Sequence, residues 1–294
     1  MPELPEVEIT RENLERWLHD RVIERARVED RRVLRGQSVR RLESGLSGAR
    51  LREIERRGKY LIWDLGDRGG AVTHLGMSGK FVLRGQGEPD PPATCVVLEL
   101  GAGNRVIFSD TRRLGRFQLE ESGTRKTLAR IGIDALDRRL TPRRFGELLR
   151  TARLPIKSFL MDQHRLAGLG NIQAAEALFH AGIHPSCPAY QLSEEDTARL
   201  HRSIRLTLRQ SLRRARSAEI RYLREGDSEN TFLVYGRAGE PCSRCGASVR
   251  RIVHAGRSTY YCARCQPRRP RRGSPPTKCG VQAGPRDEGT HETR

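Results

Sequence analysis

The sequence predicts an α+β multidomain chain: a β-sandwich with a packed helix at the N-terminus, a helical domain in the middle and a small cysteine-bearing β-hairpin near the C-terminus. Three observations predict it. Short apolar and β-branched runs separated by turn residues fill the stretch to about residue 120. From Thr141 onward the apolar period becomes helical. Two Cys-x-x-Cys pairs, Cys242/Cys245 and Cys262/Cys265, then close the part of the chain able to fold.

Residues 5–18 read as the packed helix: Pro5 suits a first turn, Glu6 and Glu8 complement the helix dipole, and Val7, Leu14, Trp17 and Leu18 form a stripe. The following stretch reads as strands, clearest at Tyr60–Leu65, Ala71–Leu75, Thr94–Leu100 and Arg105–Phe108, with a tight turn at Gly101–Asn104. Strands this short and this closely spaced build a sandwich or a flattened barrel. In the helical part, Thr141-Pro142 caps a first helix, Asn171–Phe179 makes a second, and Ser193–Leu212 a third that opens on a serine cap and three acids. Gly182-Ile183-His184-Pro185 forces a turn between the last two. In the terminal unit, Tyr235–Gln266, strands are expected at Ser248–Val253 and Arg257–Tyr261. The domain boundaries expected are 1–125, 135–225 and 235–266, followed at 267–294 by a Pro-, Arg- and Gly-rich tail with too little apolar content to fold.

The balance of charge narrows the class. The 294 residues carry a formal net charge of +19, with basic residues spread along the whole length. Such a field attracts polyanions, nucleic acid first among them. No apolar run is long enough to span a bilayer, and no signal peptide is expected. Of the seven cysteines, Cys95, Cys187 and Cys279 are isolated, which points to a reducing compartment and no disulfide framework.

The other four point to a metal. Sixteen residues separate the two pairs, and each pair can turn both thiolates toward one ion. Four sulfur ligands leave no open position, so one structural Zn2+ is expected, and Arg257 on the hairpin turn would face a phosphate. The opening residues, Met-Pro-Glu-Leu-Pro-Glu, carry different chemistry. Removal of Met1 would turn the Pro2 nitrogen into a secondary amine with a pKa of about 8, able to form an iminium without further activation. Glu3 lies within reach to move protons. Met-Pro starts are common, and most are not catalysts. Leu166–Ile172 is a glycine-flanked turn opening a helix, where backbone N–H groups and the Asn171 amide suit a phosphate. Lys59 at a strand start, Met77 on a turn tip and the paired arginines Arg112 and Arg113 are each, singly, ordinary surface features.

Together these residues resemble the formamidopyrimidine-DNA glycosylase family. The matching stretches are MPELPEVE, RRGKYLIW, HLGMSGK, the arginine pair, IKSFLMDQHRLAGLGNIQAAEALFHAGIHP, VYGRAGEPC and the cysteine hairpin, spanning residues 1–266. Leucine in MPELPE favours this branch over the endonuclease VIII branch. The resemblance implies a helix-two-turn-helix domain, a zinc-finger β-hairpin, and a bifunctional DNA glycosylase/AP lyase of base excision repair. The enzyme would remove oxidised or ring-opened purines through a Pro2 Schiff base, followed by β,δ-elimination. It assigns catalysis to Pro2, Glu3, Lys59 and Arg257 with support from Glu6. DNA contact falls to Met77, Arg112, Leu114, Lys157 and Asn171, of which Met77, Arg112 and Leu114 would fill the gap left by a flipped base and Lys157 would line the DNA face. The partner implied is damaged double-stranded DNA. A monomer is expected, in the cytoplasm and on the nucleoid, without a membrane. The alternatives are an endonuclease VIII-like glycosylase for oxidised pyrimidines and a non-catalytic damaged-DNA-binding homologue.

The chain departs from the family pattern at several places. Leu114 stands for phenylalanine, Thr111 for proline and Gln173 for tyrosine, and the strand entered at Pro92–Cys95 lacks a histidine. The segment Arg224–Phe232 is shorter than the family's lesion-capping loop. Slower cutting of 8-oxoguanine than of formamidopyrimidine is therefore expected.

Overall fold

The computed structural model describes residues 2–120, 128–216 and 231–268. The expectations placed on most of the Arg224–Phe232 segment, on Cys279 and on nearly all of the basic tail lie outside these residues.

Helix α1 (Leu4–Leu18) begins one residue earlier than its proline implies, because Glu3 serves as N-cap. The Glu6 carboxylate accepts the Glu3 N–H at 2.8 Å, and Val7, Leu14 and Leu18 are buried. Strand β1 (Arg25–Val28) follows, then helix α2 (Val39–Leu46). This helix corrects the reading of the whole stretch as strands. Ser38 caps it through the Arg41 N–H, and it buries only Leu42 and Leu46. Strands β2 (Glu53–Arg57), β3 (Tyr60–Asp64), β4 (Gly70–His74), β5 (Lys80–Arg84), β6 (Thr94–Glu99), β7 (Arg105–Ser109) and β8 (Arg116–Glu120) complete the unit.

They form two separate four-stranded antiparallel sheets, β1-β6-β7-β5 and β2-β3-β4-β8, so the sandwich is correct and the barrel is not. Aromatic side chains fill the space between them. Trp63 stacks on Phe117 at 5.3 Å, and Phe81 and Phe108 pack beside them. Removing such a ring would cost about 3–5 kcal/mol.

Beyond it, the short strand β9 (Ile133–Asp134) introduces helices α3 (Pro142–Arg150), capped by Thr141 as expected, and α4 (Ile156–Met161), which sequence reading missed. Strand β10 (Leu166–Ala167) pairs in parallel with β9 and leads into α5 (Asn171–Ala181). Helix α6 (Glu194–Arg216) runs four residues past its expected end. The hairpin of β11 (Val249–His254) and β12 (Arg257–Cys262) packs against α5.

Helix α1 ties these layers together. Its Leu4 N–H donates to the Gly168 carbonyl at 3.0 Å. Arg56 at the end of β2 bridges Glu8 on α1 (2.6 Å) and Asp134 on β9 (2.5 Å) with only 9% of its side chain exposed. Among the described residues no helix is long and apolar enough to cross a membrane.

Candidate active site and nucleic-acid interface

Pro2 is buried where α1 meets α5. Its neighbour Glu3 is 1% exposed. The Glu3 carboxylate accepts the N–H groups of Gly170 (2.8 Å), Ile172 (2.9 Å) and Gln173 (3.1 Å). These are the unpaired donors of the first turn of α5, and the helix dipole complements the charge. Glycine at 170 permits the approach: a Cβ there would lie 2.4 Å from the Glu3 carboxyl. Gly168, at φ +105°, lets Leu4 close on the same turn.

Glu6 lies beneath Glu3. Burial, with the Glu3 charge beside it, pushes its carboxyl up to about 7. Lys59, at the β2–β3 turn, is drawn below its usual range by burial; Glu3 opposes that shift and Arg257 adds to it. The charges of Glu3, Glu6 and Arg257 thus all act on Lys59.

His74 joins them. It is opposite Tyr60 in the β3–β4 register, with ring centroids 4.7 Å apart, and its Nδ1 accepts the Gly76 N–H at 3.0 Å. Burial and the charges of Lys59 and Arg116 push it down to about 4, so it is neutral at physiological pH. Sequence reading singled out Met77 in this motif and passed over His74. The signal was the strand register, which sets His74 across from the residue after Lys59.

The hairpin supplies the far wall. Arg257 is exposed at the first position of β12. The adjacent Ser258 carbonyl accepts from Lys157 Nζ and Asn171 Nδ2, both at 3.0 Å. Lys157 also donates to the Thr259 hydroxyl at 2.6 Å and is 1% exposed, its ammonium lowered to about 8 by burial. Lys157, expected to line the DNA face, thus holds the strand that carries Arg257 through two of its three N–H donors. Asn171 shares the task, with its Oδ1 buried and unpartnered.

Met77, Arg112 and Leu114 stand together on two neighbouring loops. Met77 is 37% and Leu114 41% exposed. The Arg112 side chain reaches solvent, while its N–H donates to Ser78 Oγ at 3.0 Å. Asp110, at the head of the Arg112–Leu114 loop, is fully buried. Gln173 is buried as well and bonds through Nε2 to Ser211 on α6 at 2.9 Å, which accounts for a polar group in a packed position.

Cys242, Cys245, Cys262 and Cys265 bring their sulfurs within 4.8 Å of one another, with Cys242–Cys265 at 3.9 Å and Cys245–Cys262 at 3.5 Å. A tetrahedron with Zn–S bonds of about 2.3 Å needs sulfurs about 3.8 Å apart. The quartet fits one structural zinc and leaves no position open for substrate.

Three family models match the chain: the formamidopyrimidine-DNA glycosylase N-terminal domain at residues 1–117, the H2TH domain of the same enzymes at 131–221, and the zinc finger found in FPG and IleRS at 239–268. The formamidopyrimidine-DNA glycosylase of Desulfitobacterium hafniense is 37% identical over 274 residues, which cover 90% of this chain and all of that protein. That of Chloroflexus aurantiacus is 37% identical, over 90% of this chain and 98% of its own. Among solved structures, Lactococcus lactis Fpg bound to abasic-site DNA superposes with a TM-score of 0.81 at 33% identity, covering 91% of this chain and 100% of that one. MutM bound to DNA containing carbocyclic 8-oxo-G gives 0.81 at 34% identity, with the same coverage.

Proposed function

The chain belongs to the formamidopyrimidine-DNA glycosylase family, and we propose that the Pro2 nitrogen, freed by removal of Met1, is its nucleophile. The protein is a DNA glycosylase of base excision repair acting on oxidised purines, with the AP-lyase activity typical of its family. Damaged double-stranded DNA is its substrate.

The Pro2 lone pair attacks C1′ of a nucleotide flipped from the duplex. The glycosidic bond breaks, and its electron pair leaves with the base, which takes up a proton. The Glu3 carboxylate takes up the proton that the Pro2 nitrogen sheds on bonding to C1′ and passes it to the sugar ring oxygen as the ring opens to the iminium. The iminium acidifies the C2′ proton; its removal expels the 3′ phosphate, and a second elimination expels the 5′ phosphate. Glu6 fixes the Glu3 backbone through the 2.8 Å bond. Lys59 and Arg257 hold the phosphates that flank the sugar, and Lys157 and Asn171 seat Arg257 through the Ser258 carbonyl. Met77, Arg112 and Leu114 enter the gap in the base stack. The units behind this division of labour are residues 1–125 for catalysis, 135–225 for backbone binding and 235–266 for the zinc hairpin. The enzyme works as a monomer in the cytoplasm, on the nucleoid.

One observation carries this reading: the carboxylate next to Pro2 in the chain is bonded by three N–H groups of α5, fixed beside the nucleophile. Borohydride trapping on abasic-site DNA tests it. The mature chain should become cross-linked and Pro2→Gly should not, with DNA binding retained. Absence of the adduct in a chain shown by mass spectrometry to begin at Pro2 would overturn it. Single-turnover rates should be higher on formamidopyrimidine than on 8-oxoguanine opposite cytosine; equal rates would refute that preference.

A further inference from the structure

We propose that Asp110 and Ser78 form a latch that locks the Met77 loop to the Arg112–Leu114 loop, making Asp110 a positioning residue for base displacement. The inference rests on the insertion role given above to Met77, Arg112 and Leu114. Those side chains come from loops that join different strands: Met77 sits between β4 and β5, and Arg112 and Leu114 between β7 and β8.

A wedge assembled from two loops works only if the loops keep a fixed distance. The Asp110 carboxylate supplies the link. One oxygen accepts from Ser78 Oγ at 2.5 Å and from the Arg112 N–H at 3.2 Å, and the other accepts from the Gly115 N–H at 2.7 Å. Ser78 Oγ in turn accepts the Arg112 N–H at 3.0 Å. The carboxylate is 0% exposed and thus brackets Leu114 from both sides. The backbones also touch: a Cβ on Gly76 would lie 2.6 Å from both the Gly115 nitrogen and the Leu114 carbonyl carbon. Arg113, between the two wedge residues, is turned away at φ +54° and anchored to Asp30 at 2.8 Å. Its guanidinium also donates to the Asp110 carbonyl. Arg112 and Leu114 are thereby left facing outward. Thr111 has no ring to fix this turn, so side-chain bonds set its shape.

The test uses the full chain with Asp110→Asn and Ser78→Ala. Asparagine brings donors where the latch needs acceptors, and alanine removes only the hydroxyl bridge. Two reactions are compared: single-turnover excision from a formamidopyrimidine duplex bearing 2-aminopurine beside the lesion, and borohydride trapping on a preformed abasic site, where no base need be expelled. Excision should fall about tenfold or more and the 2-aminopurine rise should slow with it, while trapping changes less than about twofold. In a Met77→Ala background, Ser78→Ala should have little further effect on excision. Excision at the wild-type rate in both variants, or an equal fall in excision and trapping, would overturn the latch. If Asp110→Asn does not fold, Ser78→Ala decides alone. Failure of the wild-type chain to trap would instead sink the Pro2 mechanism, and it would show without any substitution.

Discussion

Glu6 is a carboxylic acid whose proton the fold holds to about pH 7. The folded protein binds that proton more tightly than the unfolded chain does. Stability from this group is therefore complete at low pH and is lost as pH rises from the ordinary carboxylate range toward 7. Glu6→Gln keeps an oxygen for the Glu3 N–H and removes the titration. From about pH 5 to pH 8 the wild type should lose about 1–3 kcal/mol more than this variant in urea unfolding. An identical pH dependence would show that Glu6 is not buried as described. Gly170→Ala probes the neighbouring carboxylate. The new methyl meets no backbone strain, since Gly170 sits in the extended region, but it falls 2.4 Å from Glu3. Excision should drop by about a hundredfold, the effect of a displacement near 1 Å at a reacting group, with a stability loss of only about 1–3 kcal/mol. Unchanged single-turnover rates would mean that Glu3 need not sit where the helix holds it.

At the level of elements, the hairpin shows a grip built on a buried anchor. Arg257→Ala should lower the slope of log affinity against log salt by about one, as for one lost phosphate contact. Lys157→Met should weaken binding through the same residue, because its ammonium bonds Ser258 and Thr259. The double variant should then lose little more than Arg257→Ala alone; additive losses in a filter-binding titration would mean that Lys157 meets a phosphate itself. Elements were legible where the signal was local. The first-turn proline and stripe of α1, the Thr141 cap of α3 and the cysteine spacing each lie within a few turns of sequence, whereas the Glu3 cap of α1 was not read. Helix α2 escaped because only Leu42 and Leu46 mark it, and α4 because six residues give no period to read. His74 and Asp110 escaped for another reason. Their roles depend on register and on donors from separate loops: Ser78 lies 32 positions from Asp110. The site was thus readable as a set of motifs, but the bonds joining the motifs were not.

Across the whole molecule, polar ties join parts that lie far apart in the chain. Arg56 holds Glu8 and Asp134, partners 48 and 78 positions away, and Asp134 also accepts the Gly58 N–H at 2.7 Å. Removing Arg56 would strand two carboxylates, so Arg56→Met should destabilise the protein by about 3–5 kcal/mol and disturb Lys59 at the adjoining turn; a thermal midpoint equal to that of the wild type would refute this. Zinc acts at the opposite end. One ion per chain should be found by elemental analysis, and chelation should release the hairpin and abolish excision by removing Arg257 from its seat. Retained excision in the metal-free chain would show that the finger is dispensable.

The seating of Pro2 and Glu3 also bears on how this enzyme can be handled. A purification tag fused ahead of the proline would convert its amine to an amide and push bulk into a space that leaves Glu3 only 1% exposed. Such a fusion should bind DNA and cut nothing until a protease releases the proline, whereas the same tag on the C-terminal side of the zinc hairpin leaves that amine free. Expressing both versions side by side would turn a routine cloning choice into a readout of the nucleophile.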